Sequence, residues 1–152
     1  MSHPSTTLQN QEYALQNIIK ALIDGQQGFQ SIGESMQDEA LKTFFLAESL
    51  EQARFRGELE ADLHIEGVRD IETHGTANGT LLRIWGELKN KLGGGDKALL
   101  TTAEEATRDT LQTYNEALGY ELPLPVRQIL VNQGTHLEAV HDQIEAALLA
   151  RG

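Results

Sequence analysis

The chain has 152 residues, a formal net charge of −11 and no cysteine. This length favours a single domain and is sufficient to bury a sizeable core. The acidic balance argues against binding to a nucleic-acid backbone, which requires clustered lysine and arginine. The lack of cysteine excludes disulfides, thiolate metal sites and a cysteine nucleophile.

We expect no secretory signal in the N-terminal segment. The stretch MSHPSTTLQNQEY is polar and lacks the apolar region of a secretory signal. No apolar run in the chain approaches the roughly 18 residues that a membrane helix needs. We therefore expect a cytoplasmic protein with no membrane or nucleic-acid partner. Its single domain should span residues 1–152, with residues 1–6 as a flexible tail.

Apolar residues recur at helical spacing along most of the chain. The clearest stripe repeats every seven residues and predicts a helix over about 7–35; its members are Leu8, Leu15, Leu22, Phe29 and Met36. Asp38 is placed to cap a second helix that runs to about residue 67. The pattern predicts two further long helices at about 97–118 and 125–149 and contains no strand signal.

The connections between these helices predict the topology. Short turns join the first helix to the second and the third to the fourth, so each pair should form an antiparallel hairpin. The link between the hairpins contains the aperiodic stretch RDIETHGTANGT and a short apolar helix near 80–92 that carries Trp85. A long crossover between two hairpins is the ferritin-like four-helix-bundle arrangement. A pairwise meander with a loose fifth helix is the alternative.

Several stretches resemble a bacterial family of ferritin-like four-helix-bundle proteins with no established function. They are ALIDGQQGF, FRGELEADL, IWGELKNKLGGGDKALL, TLQTYNEAL and LPVRQIL, and the resemblance runs from about Leu8 onward. Metal-binding ferritin-like proteins place one Glu on each of two helices and Glu-x-x-His on each of the other two. The resemblance thus implies where ligands of a metal centre would lie.

On the first two helices, the inward polar positions hold few carboxylates. Gln26 occupies the inward position of the first helix, where the resemblance implies a Glu. The stripe of the second helix carries Glu48 and Gln52. Glu51 is followed three residues later by Arg54 instead of His, and we expect the Arg54 side chain to extend to water.

On the last two long helices, His136 is the one residue of a metal-binding type that lies where the resemblance implies a ligand. Thr107 takes the central position of the third helix, and Glu104 lies at the edge of the stripe. The fourth helix carries Gln133-x-x-His136, whose spacing directs both side chains to one point. His141, five residues after His136, lies about 140° around the helix, so the two histidines should not share a metal ion.

We interpret the centre of the bundle as a polar network derived from a metal site. Two metal ions need several carboxylates, and glutamines in ligand positions remove that negative charge. Neutral amides can instead bond to one another or to a hydroxyl. The predicted network consists of Gln26, Gln52, Gln133, Tyr114 and Thr107. The alternatives are one weakly held ion, or a metal centre whose ligands are Glu48, Glu104 and His136.

These observations support two functional hypotheses. The first is a non-enzymatic bundle without cofactor that acts through an unidentified protein partner, in stress physiology as the resemblance suggests, and that forms a homodimer. The second is a ferritin-like metalloprotein that binds iron or another divalent metal. A third, a small-ligand site, depends on whether Gly25, Gly28 and Gly33 leave room beside the first helix.

Overall fold

The computed structural model describes residues 4–65, 67 and 79–151, with side chains from Gln9 onward. These residues form five α-helices and one 3₁₀ turn, with no strand: α1 (Pro4–Ser35), α2 (Glu39–Ile65), α3 (Gly79–Gly86), the turn Leu88–Asn90, α4 (Asp96–Leu118) and α5 (Leu124–Ala150). The predicted all-α class is confirmed. No described helix is both long and apolar enough to cross a membrane.

The boundaries of the helices agree with the sequence pattern, with two differences. Helix α1 begins at Pro4, because proline is tolerated in the first helical turn, so residues 4–6 are helical although we expected them in the tail. The short crossover helix ends at Gly86 and continues as the 3₁₀ turn instead of one helix to residue 92. Most of the crossover loop, residues 68–78, and the tail residues 1–3 lie outside the described part.

Contacts between α1 and α2 show that these helices are antiparallel. Near the start of α1, Gln11 Nε2 donates to Asp62 Oδ2 at 2.9 Å. Further along, Ser49 Oγ donates to the backbone carbonyl of Gln26 at 2.8 Å. The partner number on α2 falls as the number on α1 rises, so the two helices form the predicted hairpin.

Of the three apolar clusters among the described residues, the two largest lie toward opposite ends of α1, and a smaller one joins Ala21, Leu81, Ile84 and Ala106. The first contains Leu15, Ile18, Leu22, Phe55, Leu59, Tyr114 and Leu130, among others. The second contains Phe29, Ile32, Phe45, Leu99, Ala103 and Ile144, among others. Along α2, Glu48 and Gln52 lie between Phe45 of one cluster and Phe55 of the other. A polar layer therefore separates the two clusters.

The glycines of α1 mark close approaches of neighbouring side chains. Helix α1 is continuous through all three, and a Cβ added at Gly25 would lie 1.8 Å from Gln52 Oε1. A Cβ at Gly28 would lie 2.2 Å from the Trp85 ring, and one at Gly33 would lie 2.8 Å from Leu46. Side chains of this chain fill the space directly over these glycines, and a pocket of about 260 Å³ lies beside Gly28 and Trp85.

Trp85 couples the crossover to the bundle. Its ring centroid lies 5.5 Å from that of Phe29 in an edge-to-face arrangement, and the indole rests on Gly28. Aromatic pairs of this geometry add to the free energy gained by burial alone. Trp85 therefore packs against α1 at Gly28 and Phe29.

We predict that Gly28→Ala destabilises the protein by about 1–3 kcal/mol, because the new methyl group overlaps the Trp85 ring. The matched control is Gly57→Ala in α2, where an added Cβ has no neighbour within 4 Å. It should stabilise the helix by about 0.5–1 kcal/mol. Urea denaturation followed by circular dichroism gives both values, and equal effects at the two positions would contradict the close packing.

Candidate functional site

Glu48 and His136 meet inside the polar layer and join α2 to α5. Only 3% of the Glu48 side chain is exposed, and its Oε1 lies 2.7 Å from His136 Nε2. Gln52, one turn later on the same face of α2, donates from Nε2 to Glu48 Oε2 at 3.2 Å. Both carboxylate oxygens are therefore bonded within the chain.

Burial dominates the electrostatics of this pair. It raises the pKa of the Glu48 carboxyl. Hydrogen bonds from His136 and Gln52, and the charge of His136, act in the opposite direction and lower this pKa. His136 is less enclosed, with 37% of its side chain exposed, and its ring packs edge-on against Phe55 with centroids 5.2 Å apart. The partners of Glu48 reduce the cost of keeping a carboxyl group in the core.

Gln133 and Tyr114 form the second connection in the layer and join α5 to α4. The Tyr114 hydroxyl donates to Gln133 Oε1 at 2.6 Å. The amide nitrogen of Gln133 donates to the backbone carbonyl of Phe55 and to Glu58 Oε1, both at 3.3 Å. Burial raises the pKa of Tyr114 well above its usual range, so the hydroxyl keeps its proton and acts as a donor.

Three residues of the predicted network bond differently. Thr107 Oγ1 donates to the carbonyl of Ala103 in its own helix at 2.7 Å. Gln26 contributes its backbone carbonyl to Ser49. Gln52 Oε1 is buried beside Gly25 and has no hydrogen-bond partner among the described residues.

The three candidate metal ligands Glu48, Glu104 and His136 lie in two separate places in the structure. Glu48 lies with His136, whereas Glu104 Oε2 lies 2.7 Å from His141 Nε2. Arg54 is exposed and pairs with Glu51 and Glu58, so its guanidinium points away from the core. Sequence reasoning missed Glu58, whose exposed position gave no sign of its bond to Gln133.

A cleft between α2 and α5 gives solvent access to this layer. Its volume is about 250 Å³, and its walls include Glu51, Arg54, Glu58, Asn132, Gln133 and His136. Long polar side chains therefore bridge the two helices, with water-accessible space beside them.

The donor groups of the layer do not fit a centre of two metal ions. Such a centre needs several carboxylates as ligands and as balancing charge. Glu48 is the buried carboxylate here, and Gln52 and Gln133 supply neutral amides. The amide nitrogen of Gln133 already donates two bonds and its oxygen accepts one, so a metal ion would have to displace them.

The fold and this layer define an all-helical protein with a hydrogen-bonded polar centre. The chain belongs to the family described as "Domain of unknown function (DUF2383)", whose model matches residues 10–120. That segment contains Glu48 and Tyr114 and ends before Gln133 and His136. No curated protein and no solved structure gives a significant match to the chain.

We predict that Gln133→Leu destabilises the protein by about 1–3 kcal/mol, because the buried Tyr114 hydroxyl loses its acceptor. Tyr114→Phe removes the other partner of this bond. The double variant should lose less stability than the sum of the losses in the two single variants. The expected coupling is about 0.5–3 kcal/mol in a double-mutant cycle. Gln128→Leu, an exposed change on the same helix, should stay within about 0.5 kcal/mol. Additive penalties in urea denaturation would rule out the buried bond.

Proposed function

We propose that the chain is a ferritin-like bundle with a degenerate metal site that acts through protein contacts and has no enzymatic activity. The observation that carries this proposal is Gln133, a ligand-type position whose amide is committed to Tyr114, Phe55 and Glu58. The sequence resemblance described above, and not the site, motivates a role in stress physiology. We place that role in the cytoplasm.

The directions of the helices support the ferritin-like arrangement. Helix α4 is antiparallel to α5, since Tyr114 contacts Gln133 and Glu104 contacts His141. It is also antiparallel to α1, whose early residues share a cluster with Tyr114 and whose late residues share one with Leu99. Helices α2 and α4 then run in the same direction. A connection between parallel helices must return along the bundle, as the long crossover of ferritin-like proteins does.

Exposed apolar side chains support the role in protein contacts. On α3, Leu82 is 53% exposed beside the half-buried Trp85. Leu50 of α2 is 72% exposed, and Leu124 and Val131 are exposed seven residues apart on α5. A two-fold dimer is the commonest assembly of soluble proteins, and α3 offers the surface for one.

For the dimer, we predict that light scattering at tens of micromolar protein gives about twice the chain mass of 16.8 kDa. Leu82→Glu should shift the protein toward the monomer, because it places a charge in the contact. Leu149→Glu, at another exposed apolar position, is the control and should leave the mass unchanged. A wild-type mass of one chain would refute the dimer.

A second candidate function is supported by the convergence of Glu48 and His136. A carboxylate oxygen and an imidazole nitrogen 2.7 Å apart, beside a cleft, could both coordinate one divalent ion such as iron. A single ion needs fewer carboxylates than a two-metal centre does.

Thermal melting with and without ferrous iron, under anaerobic conditions, distinguishes the two candidates. We expect iron to leave the melting temperature of the wild type unchanged, and the Gln133→Leu penalty to be the same with or without it. A ligand that binds the folded state would raise the melting temperature.

His136→Gln retains an amide donor for Glu48. If iron raises the melting temperature of the wild type and not that of His136→Gln, the result would favour the metalloprotein. Elemental analysis of protein purified without chelator gives an independent check. About two irons per chain would contradict the proposed degenerate site.

A further inference from the structure

A second histidine, His141, lies between two carboxylates at the α4–α5 contact, away from the Glu48–His136 pair. Its Nε2 lies 2.7 Å from Glu104 Oε2, and its Nδ1 lies 3.0 Å from Glu145 Oε1. Ligand atoms of His141, Asp142 and Glu145 all lie within 4.8 Å of one another. The imidazole is mostly enclosed, with 17% of its side chain exposed.

The hydrogen atoms of this cluster determine what can lie beside Nδ1. Glu104 also pairs with Arg108 at 3.3 Å. A carboxylate only accepts hydrogen bonds, so His141 Nε2 is the donor in its contact with Glu104. In that tautomer the lone pair of Nδ1 is directed at the carboxylate of Glu145, 3.0 Å away, which is an arrangement that a cation between the two groups would stabilise.

We propose that Zn²⁺ binds here, with His141 Nδ1, Asp142 and Glu145 as ligands and Glu104 as the carboxylate that orients the imidazole. One imidazole with carboxylates suits zinc better than calcium or magnesium, which prefer oxygen ligands alone. A carboxylate bonded to the distal nitrogen of a coordinating histidine is a common arrangement in metal sites.

The position of the cluster favours cation binding. His141 and Glu145 are one turn apart on α5 and therefore share a face. Asp142 and Glu145 are exposed, so an ion can reach them from solvent and complete its coordination with water. The chain also carries a formal net charge of −11, which attracts cations over longer distances.

Isothermal titration of the untagged, chelator-treated full-length chain with Zn²⁺ tests this site. We expect about one tight Zn²⁺ per chain in the wild type. His141→Ala should abolish that binding, and Glu145→Gln and Asp142→Asn should weaken it. Glu104→Gln should keep the stoichiometry and weaken the affinity about 10–100-fold, because it removes only the group that orients His141.

Two further variants locate the ion. His64→Ala changes an exposed histidine of α2 and should leave the titration as in the wild type. If Zn²⁺ binding is lost in His136→Gln and kept in His141→Ala, the ion binds in the core and this proposal is wrong. It is also wrong if the wild type binds no Zn²⁺. Because Asp142 and Glu145 are exposed, their variants remain informative even if His141→Ala perturbs the fold.

Discussion

The buried carboxyl group of Glu48 is the constraint around which the centre of the bundle is arranged. A carboxyl group in a core must have partners, because removal of one partner from a buried charged pair typically costs about 3–5 kcal/mol. His136 on α5 and Gln52 on α2 are those partners. The bond to His136 fixes the rotation of α5 relative to α2, since a helix turned by one residue moves its side chains by about 100°.

The small residues of α1 and the long polar residues of α2 and α5 have complementary roles. Gly28 and Gly33 let Trp85 and Leu46 approach the backbone of α1 closely, so α1 packs tightly on its neighbours. The α2–α5 side is instead bridged by Glu48, Gln133 and His136, next to a cleft of about 250 Å³. Solvent therefore reaches the polar layer from this side.

The sequence predicted the helices well because a continuous apolar stripe determines which face of each helix is buried. It also singled out Gln133 and Tyr114, which lie on the stripes of neighbouring helices. It could not predict that Thr107 would bond to its own helix, since a threonine hydroxyl has that acceptor available at almost any helical position. The backbone carbonyl of Phe55, an acceptor for Gln133, leaves no trace in the sequence at all. The sequence grouped Glu104 with His136 only in the alternative of a metal centre, and it gave no sign that Glu104 contacts His141, because a position at the edge of a stripe can turn to either side.

His136 and His141 lie on the same helix, but their imidazole rings have different partners. His136 hydrogen-bonds to the carboxyl group of Glu48, whose other oxygen is bonded to the amide of Gln52. His141 faces carboxylates on both nitrogens, and a neutral imidazole can donate to only one of them. The cation proposed beside His141 would therefore lie near the surface, where an ion can enter. In the core, Glu48 shares the polar layer with the neutral amides of Gln52 and Gln133.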